Sequence, residues 1–328
     1  MKTSVKLALL GLLLLVTWVS CKNKDDSPQP NNEPNKPDTT VTTKMEPCNG
    51  DSSLCNRKYD EVAYPTTHNA FNYAAGGNVR YLFPNQNYPI DQQLKQGIRA
   101  FMIDVHEYQG FDNNFKGKAF VYHNKDLRGV LGQEPLVNVL QLFSAFLKQN
   151  PREVVTLILE ATAPWQQIQN ALTEANLLDS LHIQEKGKPW PTLLQMIQSH
   201  KRLVVLTDDS TAGRPSWYHY VWDFGFETNW NIKKPEEFTC AYNRGNPAYS
   251  LFVLNNFVYA SATFLGQEIS VADSTKAAIV NTKEFLVTRA LACSTQTGRI
   301  PNFVTVDFAA TGNLMGAVDS LNKQHHPR

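Results

Sequence analysis

Short apolar stretches that each end in a polar, reactive side chain recur along this chain and constrain its fold more than any other feature. The stretches have the length and the Val, Ile and Leu content of buried parallel strands. In a (β/α) barrel the carboxyl ends of the strands meet at one mouth, where active sites are built. The pattern therefore predicts a single-domain α/β protein, an irregular (β/α)8 TIM barrel, whose mouth gathers His68 with Asn69, Asp104, His123, Glu160, Asp208 and Asp307.

Hydrophobic periodicity places the individual elements around these strand ends. We predict one strand within 217–230 and further strands over 62–66, 98–105, 119–122, 154–159, 203–207, 251–257 and 303–306. Apolar spacing with Pro and Gly signals predicts helices over 89–96, 136–149, 164–175, 193–199, 274–292 and 314–322. The period of two along strand 98–105 puts Asp104 and His106 on one face, so His106 faces the barrel axis if Asp104 does.

The first 44 residues differ from the rest of the chain. Residues 1–20 carry two lysines followed by an apolar run, which is typical of a secretory signal peptide. The run ends in Trp-Val-Ser-Cys, which is similar to the lipobox of bacterial lipoproteins. We expect lipid attachment at Cys21, a disordered tether over 21–44 and a folded domain over 45–328. The predicted location is the bacterial cell envelope, lipid-anchored at the outer membrane or cell surface. The alternative is a secreted protein with an incidental cysteine.

The remaining cysteines and the charge balance narrow the possible partners. Four cysteines in an exported chain predict two disulfides, Cys48–Cys55 and Cys240–Cys293. Neither pair has companions at metal-ligand spacing, which argues against a zinc site. The chain has 31 basic and 30 acidic side chains, so its charge gives no reason to expect nucleic acid as a partner. We expect a monomer that meets a membrane surface through its lipid anchor.

Two histidines facing one site suit the cleavage of a phosphodiester. Imidazole titrates near neutral pH, so one ring can act as base while the other acts as acid. Asp307 is the candidate for fixing the tautomer of His68. The amide of Asn69 and the carboxylates of Asp104 and Glu160 are oxygen ligands suited to Ca²⁺, which would offset negative charge on the phosphate. No glycine-rich phosphate loop and no Gly-x-Ser-x-Gly motif occurs.

These residues lie in four motifs, THN, DVH, VYHN and LILE, which together resemble the catalytic X region of phosphatidylinositol-specific phospholipase C. A wider resemblance to secreted phospholipase-C-like phosphodiesterases of fungi and bacteria covers most of 48–322. It includes the cysteine-rich start, Gly-Ile-Arg, Asn-Pro-Arg-Glu-Val-Val-Thr-Leu, Phe-Glu-Thr in place of Trp-Glu-Thr, and Pro-Asn-Phe-Val-Thr-Val-Asp-Phe. The resemblance implies an irregular TIM barrel and attack of the inositol 2-hydroxyl on phosphorus, which gives a cyclic inositol phosphate and diacylglycerol.

Carried over by position, the resemblance makes His68 the general base and His123 the general acid. It makes Asn69, Asp104 and Glu160 the calcium ligands.

Two positions depart from the family pattern and leave the metal dependence open. Met102 stands where a metal-binding Glu is expected, and His106 stands where metal-independent bacterial enzymes carry an Arg. His106 and Asp208 are the predicted substrate contacts. His106 could bind phosphate as an imidazolium or stack within the barrel.

Other readings of the same residues stay open. One is a glycerophosphodiester or sphingomyelin-D-like phosphodiesterase, and another is a non-catalytic surface lipoprotein that binds a headgroup. Lys125 and Arg128 could meet a phosphate or lie in a solvated loop. The aromatic segment within 217–230 could supply a lipid-facing rim, a sugar-stacking wall or core, through Trp217, Tyr218, Trp222 and Trp230.

Overall fold

The computed structural model of the chain describes residues 45–74, 81–123 and 132–324. Its strands are β1 (Tyr64–Thr67), β2 (Ala100–Glu107), β3 (Ala119–Val121), β4 (Glu134–Pro135), β5 (Val155–Ala161), β6 (Leu203–Thr207), β7 (Tyr218–Tyr220), β8 (Gly225–Thr228), β9 (Tyr242–Gly245), β10 (Leu251–Asn255), β11 (Tyr259–Phe264), β12 (Gln267–Ala272) and β13 (Phe303–Val306). Its helices are α1 (Ile90–Lys95), α2 (Leu136–Gln149), α3 (Trp165–Glu174), α4 (Leu193–Gln198), α5 (Ser274–Val280), α6 (Lys283–Thr297) and α7 (Leu314–Gln324). The predicted signal peptide, the tether with Cys21, and the residues Lys125 and Arg128 lie outside the described residues.

Eight parallel strands form a curled sheet in the order β7, β6, β5, β2, β1, β13, β10 and β8. Within the described ranges no pairing joins β7 to β8. Only a 3-10 turn, Val221–Asp223, and one further residue lie between these two strands, whereas parallel neighbours need a crossover of a dozen or more residues. The predicted irregular (β/α)8 barrel is therefore present and open at this point, and the strand expected within 217–230 is two strands.

The stretch over 119–122 is not the barrel strand that the sequence predicted. It forms β3, which pairs antiparallel with β2 and places Val121 beside Val105. The segment between β2 and β3 is too short for a crossover helix, so the chain turns back and forms a hairpin. His123 therefore reaches the mouth on a returning strand, and the prediction of its position was right although the prediction of its strand direction was wrong.

Four strands were not predicted, and the first of them is the two-residue β4, which pairs antiparallel with β3. The edge strand β9 pairs antiparallel with β8 and puts Arg244 opposite Glu227, with a register shift after Glu227. Gly245 adopts φ +85°, and a Cβ there would lie 2.2 Å from the carbonyl oxygen of Gly225, so the close approach of β9 requires glycine. The other two, β11 and β12, follow β10 in the chain and form a separate antiparallel hairpin.

The core has two layers because the barrel strands bury both faces. Along β2 the side chains of Ala100 and Met102 belong to the apolar cluster inside the barrel, with Ile158, Val204 and Leu206. The alternate side chains pack outward under the helices, where Phe101 meets Phe143 of α2 at 4.9 Å between ring centroids. Each such fully buried side chain contributes roughly 1.5–3 kcal/mol. This alternation is the predicted one, and it leaves the inward face to deliver Asp104 and His106 to the mouth.

The helix predicted over 274–292 is interrupted. The helix α5 ends at its C-cap Asn281, and α6 starts at its N-cap Thr282, whose side chain accepts a hydrogen bond from the backbone of Phe285. Asn281 is fully buried and its Nδ2 donates to the backbone oxygen of Asp307 at 2.7 Å. The break places this amide at the end of β13, a long-range contact that helical periodicity does not reveal.

Both predicted disulfides are present. Cys48 pairs with Cys55 and closes a small N-terminal loop, while Cys240 pairs with Cys293 and ties the segment before β9 to α6. None of the helices in the described ranges has the length and apolarity required to cross a bilayer.

Buried histidine outside the mouth makes stability depend on pH. His219 donates from Nδ1 to the backbone oxygen of Val205 at 2.9 Å and accepts at Nε2 from the backbone N–H of Gln184. This pairing requires the neutral ring, and burial lowers the pKa of His219 to about 4. The unfolded chain binds this proton near pH 6.5, so the stabilisation is complete above pH 6.5 and is lost as the pH falls toward 4.

We therefore predict that acidification from pH 6.5 to 4 removes on the order of 3 kcal/mol of unfolding free energy through His219. Urea unfolding of the wild type and of His219→Asn at a series of pH values gives the unfolding free energy of each protein as a function of pH. The contribution of His219 is the additional loss of unfolding free energy that the wild type shows between pH 6.5 and 4. The same dependence of unfolding free energy on pH in both proteins would contradict this role of His219.

Candidate active site

His68 follows β1 at the barrel mouth, where contacts to its ring and to its backbone fix its orientation. Its Nδ1 lies 2.9 Å from Oδ1 of Asp307, and its ring stacks on Phe257 at 4.0 Å with an interplanar angle of 2°. Its backbone N–H donates to Val306, and its carbonyl accepts from Gln86 at 2.7 Å. Asp307 is 2% exposed and accepts a hydrogen bond from Nδ1–H of His68, which leaves Nε2 of His68 as an acceptor. The predicted pairing of Asp307 with His68 is thus present in the geometry.

His123 is held in the opposite tautomer. Nδ2 of Asn69 lies 3.1 Å from Nδ1 of His123, and the amide nitrogen donates while the ring nitrogen accepts. The proton of the neutral ring is then on Nε2. Asn69 reaches this position from a left-handed turn, φ 44°, which asparagine tolerates better than most residues. One histidine therefore offers an acceptor at Nε2 and the other offers a donor at Nε2.

Two asparagines that the sequence reading missed connect these rings. Asn85 donates from Nδ2 to Oδ1 of Asp307 at 2.9 Å and accepts at Oδ1 from Nδ2 of Asn72 at 2.6 Å. The same Nδ2 of Asn72 lies 3.5 Å from Nδ1 of His123. Both asparagines are about 1% exposed. In the sequence these two asparagines belong to a polar stretch after β1, and such stretches are common in loops that have no functional role.

Burial sets the protonation of His123. Its pKa is lowered to about 4, first because burial removes water from the charged form and then because His68 and His106 add positive charge nearby. Without a ligand His123 is therefore neutral at pH 7.

The predicted acidic residues gather on adjacent strands. Asp104 and Glu160 are register partners on β2 and β5, and Asp208 follows β6 and accepts a hydrogen bond from the backbone of Ala161 at 3.0 Å. The pKa of Asp104 is raised well above its usual range, first by burial and then by the charges of Glu160 and Asp208. Burial likewise raises the pKa of Asp208. The guanidinium of Arg244 offsets part of the charge of Asp208.

The calcium prediction concerns Asn69, Asp104 and Glu160. Among the residues with described coordinates, no three His, Cys, Asp or Glu side chains converge closely enough to hold a metal. A calcium site would therefore need the amide oxygen of Asn69 beside the two carboxylates, and their mutual repulsion is compatible with such an ion. Met102 lines the cavity at the position of the missing ligand.

His106 lies in the same cavity and also packs within the barrel. Its Nδ1 lies 2.6 Å from Oγ1 of Thr162, and its ring centroid lies 4.5 Å from that of Tyr122. Both of the uses predicted for His106 are compatible with this position.

The opposite wall contains residues to which the sequence reading gave no role. Glu227 is buried and its carboxylate accepts from Nε of Arg244 at 2.6 Å and from Nδ2 of Asn255 at 2.9 Å. The guanidinium of Arg244 lies over the ring of Trp222 at 4.8 Å. Phe-Glu-Thr had marked the position of Glu227 without a role, and Arg244 lies on a strand that the sequence did not reveal.

The mouth encloses a cavity of about 540 Å³, which both histidines line together with Asp104, Glu160 and Asp208. Trp222 and Trp230 also line it, whereas Trp217 and Tyr218 are buried in the core. The aromatic segment thus supplies both wall and core.

A curled barrel with complementary imidazoles and carboxylates at its mouth is a fold and site of the phospholipase-C-like class. The chain belongs to the PI-PLC X family, because the family model described as PI-PLC X 1 matches residues 54–322.

Curated relatives of this chain come from eukaryotes. A PI-PLC X domain-containing protein of Arabidopsis thaliana is 25% identical over 305 residues, which cover 88% of this chain and 67% of that protein. An uncharacterized secreted protein of Arthroderma benhamiae is 26% identical over 306 residues, which cover 84% of this chain and 63% of that protein. The chain thus spans about two thirds of the length of these two relatives.

Among solved structures, the phosphatidylinositol-specific phospholipase C from Listeria monocytogenes superimposes with a TM-score of 0.51 at 16% identity. The match covers 83% of this chain and 96% of the Listeria protein. At this identity the likeness shows the fold alone, and it agrees with the predicted TIM barrel.

The protonation of His123 is directly testable. We predict that its ring titrates near pH 4 in the ligand-free protein, because burial disfavours the imidazolium. Nitrogen-15 spectra of the histidine side chains, with the His123 signal assigned from its absence in His123→Asn, measure this pKa. A midpoint near 6.5 would show that the ring is hydrated and charged more easily than its surroundings imply.

Proposed function

We propose that this protein is a phosphoric diester hydrolase or lyase that cleaves phosphatidylinositol-type lipids through a cyclic inositol phosphate. The observation that carries the proposal is the pair of opposite tautomers, with Asp307 on Nδ1 of His68 and Asn69 on Nδ1 of His123. A phosphoryl transfer between two oxygens needs one group that takes a proton and another that gives one.

In the first step Nε2 of His68 takes the proton of the inositol 2-hydroxyl, and the resulting oxygen attacks phosphorus. The bond from phosphorus to the glycerol oxygen breaks, and that oxygen receives a proton from Nε2 of His123. Asp307 stabilises the imidazolium that forms at His68. The products are a cyclic inositol phosphate and diacylglycerol, and water can open the ring with the roles of the two histidines exchanged.

The neutral His123 of the ligand-free protein must gain a proton to act as this acid. An anionic phosphodiester beside the ring favours the imidazolium and raises its pKa. Protonation of Nδ1 also requires the hydrogen bond from Nδ2 of Asn69 to break, because Nδ1–H can only donate. Substrate binding and activation of the acid are therefore coupled in this proposal.

Calcium would be held by Asn69, Asp104 and Glu160, and it would supply positive charge to the phosphate oxygens. Both carboxylates face the same cavity as the histidines. With or without calcium, the side chains of the protein orient the substrate and protonate the leaving oxygen.

A non-catalytic headgroup-binding protein is the second candidate, and the low pKa of His123 is the observation that favours it. A protein of this kind would keep the cavity and the neutral ring but would lack turnover. A glycerophosphodiester or sphingomyelin-D-like activity is distinguished from the main proposal by its products.

We also propose that the protein acts outside the cytoplasm, lipid-anchored through Cys21 at a membrane surface or secreted, and as a monomer. Its two disulfides support an oxidising compartment, and the Arthroderma relative is named as a secreted protein.

The decisive experiment is turnover of phosphatidylinositol in mixed vesicles by matched histidine variants. His68→Asn and His123→Asn should each lower kcat/KM by roughly 10²–10⁴-fold, because each removes one partner of the proton transfer. Phosphorus-31 spectra should show a cyclic phosphate as the first product.

His200→Asn is the matched control, because His200 is exposed and has a left-handed backbone that asparagine accepts. Release of an open-chain monophosphate alone, or of a product from lysolipid or glycerophosphodiester in preference to phosphatidylinositol, would count against the cyclising reaction. Headgroup binding without any turnover would favour the second candidate.

For calcium we predict that 1 mM free ion, a concentration on the order of those at which extracellular calcium sites fill, raises Tm relative to excess chelator. The ion relieves repulsion between Asp104 and Glu160, and a ligand of the folded state stabilises it. The shift should vanish in Glu160→Gln and persist in Glu174→Gln on the outer helix α3. An unchanged Tm in the wild type would remove calcium from the proposal.

A further inference from the structure

A buried arginine without an acidic partner lies behind the wall formed by Glu227, Arg244 and Asn255. Arg289 on α6 is 9% exposed, and burial lowers its pKa to about 9 with no carboxylate among the described residues to offset this effect. The guanidinium therefore stays charged at neutral pH although it has no ion pair. Burying an uncompensated charge costs free energy, so a neutral side chain would serve better if Arg289 only filled space.

The guanidinium joins the carboxyl ends of two barrel strands. Nη1 of Arg289 donates to the backbone oxygen of Asn255 at 2.9 Å and to Oδ1 of Asn256 at 3.1 Å. Nη2 donates to Oγ1 of Thr228 at 3.4 Å. Thr228 ends β8 and Asn255 ends β10, and these strands are parallel neighbours. Because a guanidinium presents its N–H groups in a rigid planar fork, these bonds fix the two strand ends relative to each other.

The two strand ends carry the wall. Asn255 donates from Nδ2 to Oε2 of Glu227 at 2.9 Å and to the backbone oxygen of Thr228 at 2.8 Å. The other carboxylate oxygen of Glu227, Oε1, accepts from Nε of Arg244 at 2.6 Å. Glu227, Arg244 and Asn255 line the cavity, whereas Arg289 does not. A shift of Asn255 against Thr228 therefore moves the carboxylate that holds Arg244.

A disulfide keeps Arg289 in this place. The guanidinium lies over the ring of Phe238, 4.1 Å from its centroid. Cys240 follows Phe238 closely in the chain and is bonded to Cys293, which lies one turn after Arg289 on the same face of α6. The disulfide thus ties the segment that carries Phe238 to the helix face that carries Arg289.

The histidine side of the cavity is held without Arg289. The backbone N–H of Asn256 donates to Thr305 on β13 at 2.8 Å. This bond fixes the start of the segment that places Phe257 on the ring of His68. Loss of Arg289 should therefore displace the wall at Glu227 and leave the histidines in position.

Resting on the proposed function, we propose that Arg289 is a positioning residue for that reaction. It holds Asn255 and Thr228 so that Glu227 and Arg244 keep the geometry in which the wall meets the substrate. Because the groups that transfer protons lie outside these contacts, Arg289 contributes to substrate binding and not to the chemical step.

The test compares Arg289→Met with Arg202→Met in the turnover of phosphatidylinositol in mixed vesicles. Methionine keeps an unbranched apolar stem and removes the hydrogen bonds of the guanidinium. Arg289→Met should raise KM by on the order of tenfold and leave kcat unchanged, because the displaced wall binds ground state and transition state equally.

Arg202 is the matched control. It is 8% exposed, and its guanidinium donates to the backbone oxygens of Leu147 and Asn150, which do not line the cavity. Arg202→Met should leave KM unchanged even where it lowers Tm.

Nitrogen-15 spectra of the Arg244 side chain separate this inference from the reaction itself. The Nε–Hε signal of Arg244, assigned from its absence in Arg244→Lys, reports the bond to Glu227 in the protein without substrate. In Arg289→Met we expect this proton to exchange with solvent faster by on the order of tenfold. Arg202→Met should leave the exchange rate unchanged.

Faster exchange together with a raised KM supports the inference. Faster exchange in a protein that turns over no lipid supports the positioning of the wall, and only the proposed reaction then fails. An unchanged exchange rate, an unchanged KM, a loss confined to kcat, or an equal rise of KM in Arg202→Met overturns the inference, and turnover by the wild type leaves the reaction standing. If Arg289→Met does not fold, Arg289→Lys replaces it, because an ammonium cannot span both strand ends as the fork does and should give the same changes at smaller size.

Discussion

The hydrogen bond between Nδ1 of His68 and Oδ1 of Asp307 is the interaction on which the site depends. It joins residues 239 positions apart, and it exists because β1 and β13 are parallel neighbours in register from Tyr64 with Phe303 to Thr67 with Val306. Asp307 is almost fully buried, so losing its histidine partner would leave a charged group with fewer donors in a dry site. The register of β1 with β13 thus determines the tautomer of His68, because it places Asp307 beside Nδ1 of that ring.

The second constraint is a line of amides that connects the two imidazoles. Asn85 contacts Asp307 at one end and Asn72 at the other, and Asn72 and Asn69 reach His123. An amide offers a donor and an acceptor with fixed geometry, so each member limits the orientation of the next. The histidines consequently hold opposite tautomers without touching each other, and a proton gained at one ring changes what the amides must present.

The sequence revealed the barrel and the residues at its strand ends because parallel strands covered on both faces leave unbroken apolar runs. The bounds of α2, β6 and β13 were predicted to the residue. The direction of β3 was missed because it depends on loop length and not on composition. Asn72, Asn85 and Arg244 were missed because an amide or guanidinium acquires its role from distant partners, and no local pattern records those partners.

The acidic side of the cavity follows from the same register that builds the catalytic side. Asp104 and Glu160 are held level by the pairing of β2 with β5, and Asp208 is held by the backbone of Ala161. Because the sheet fixes their positions, these carboxylates cannot move apart to relieve their repulsion, and this repulsion adds to the effect of burial in raising the pKa of Asp104. A ligand that brings a cation or hydrogen-bond donors removes this repulsion on binding. The fixed arrangement of these carboxylates therefore contributes to the binding of such a ligand in addition to the ligand's own contacts.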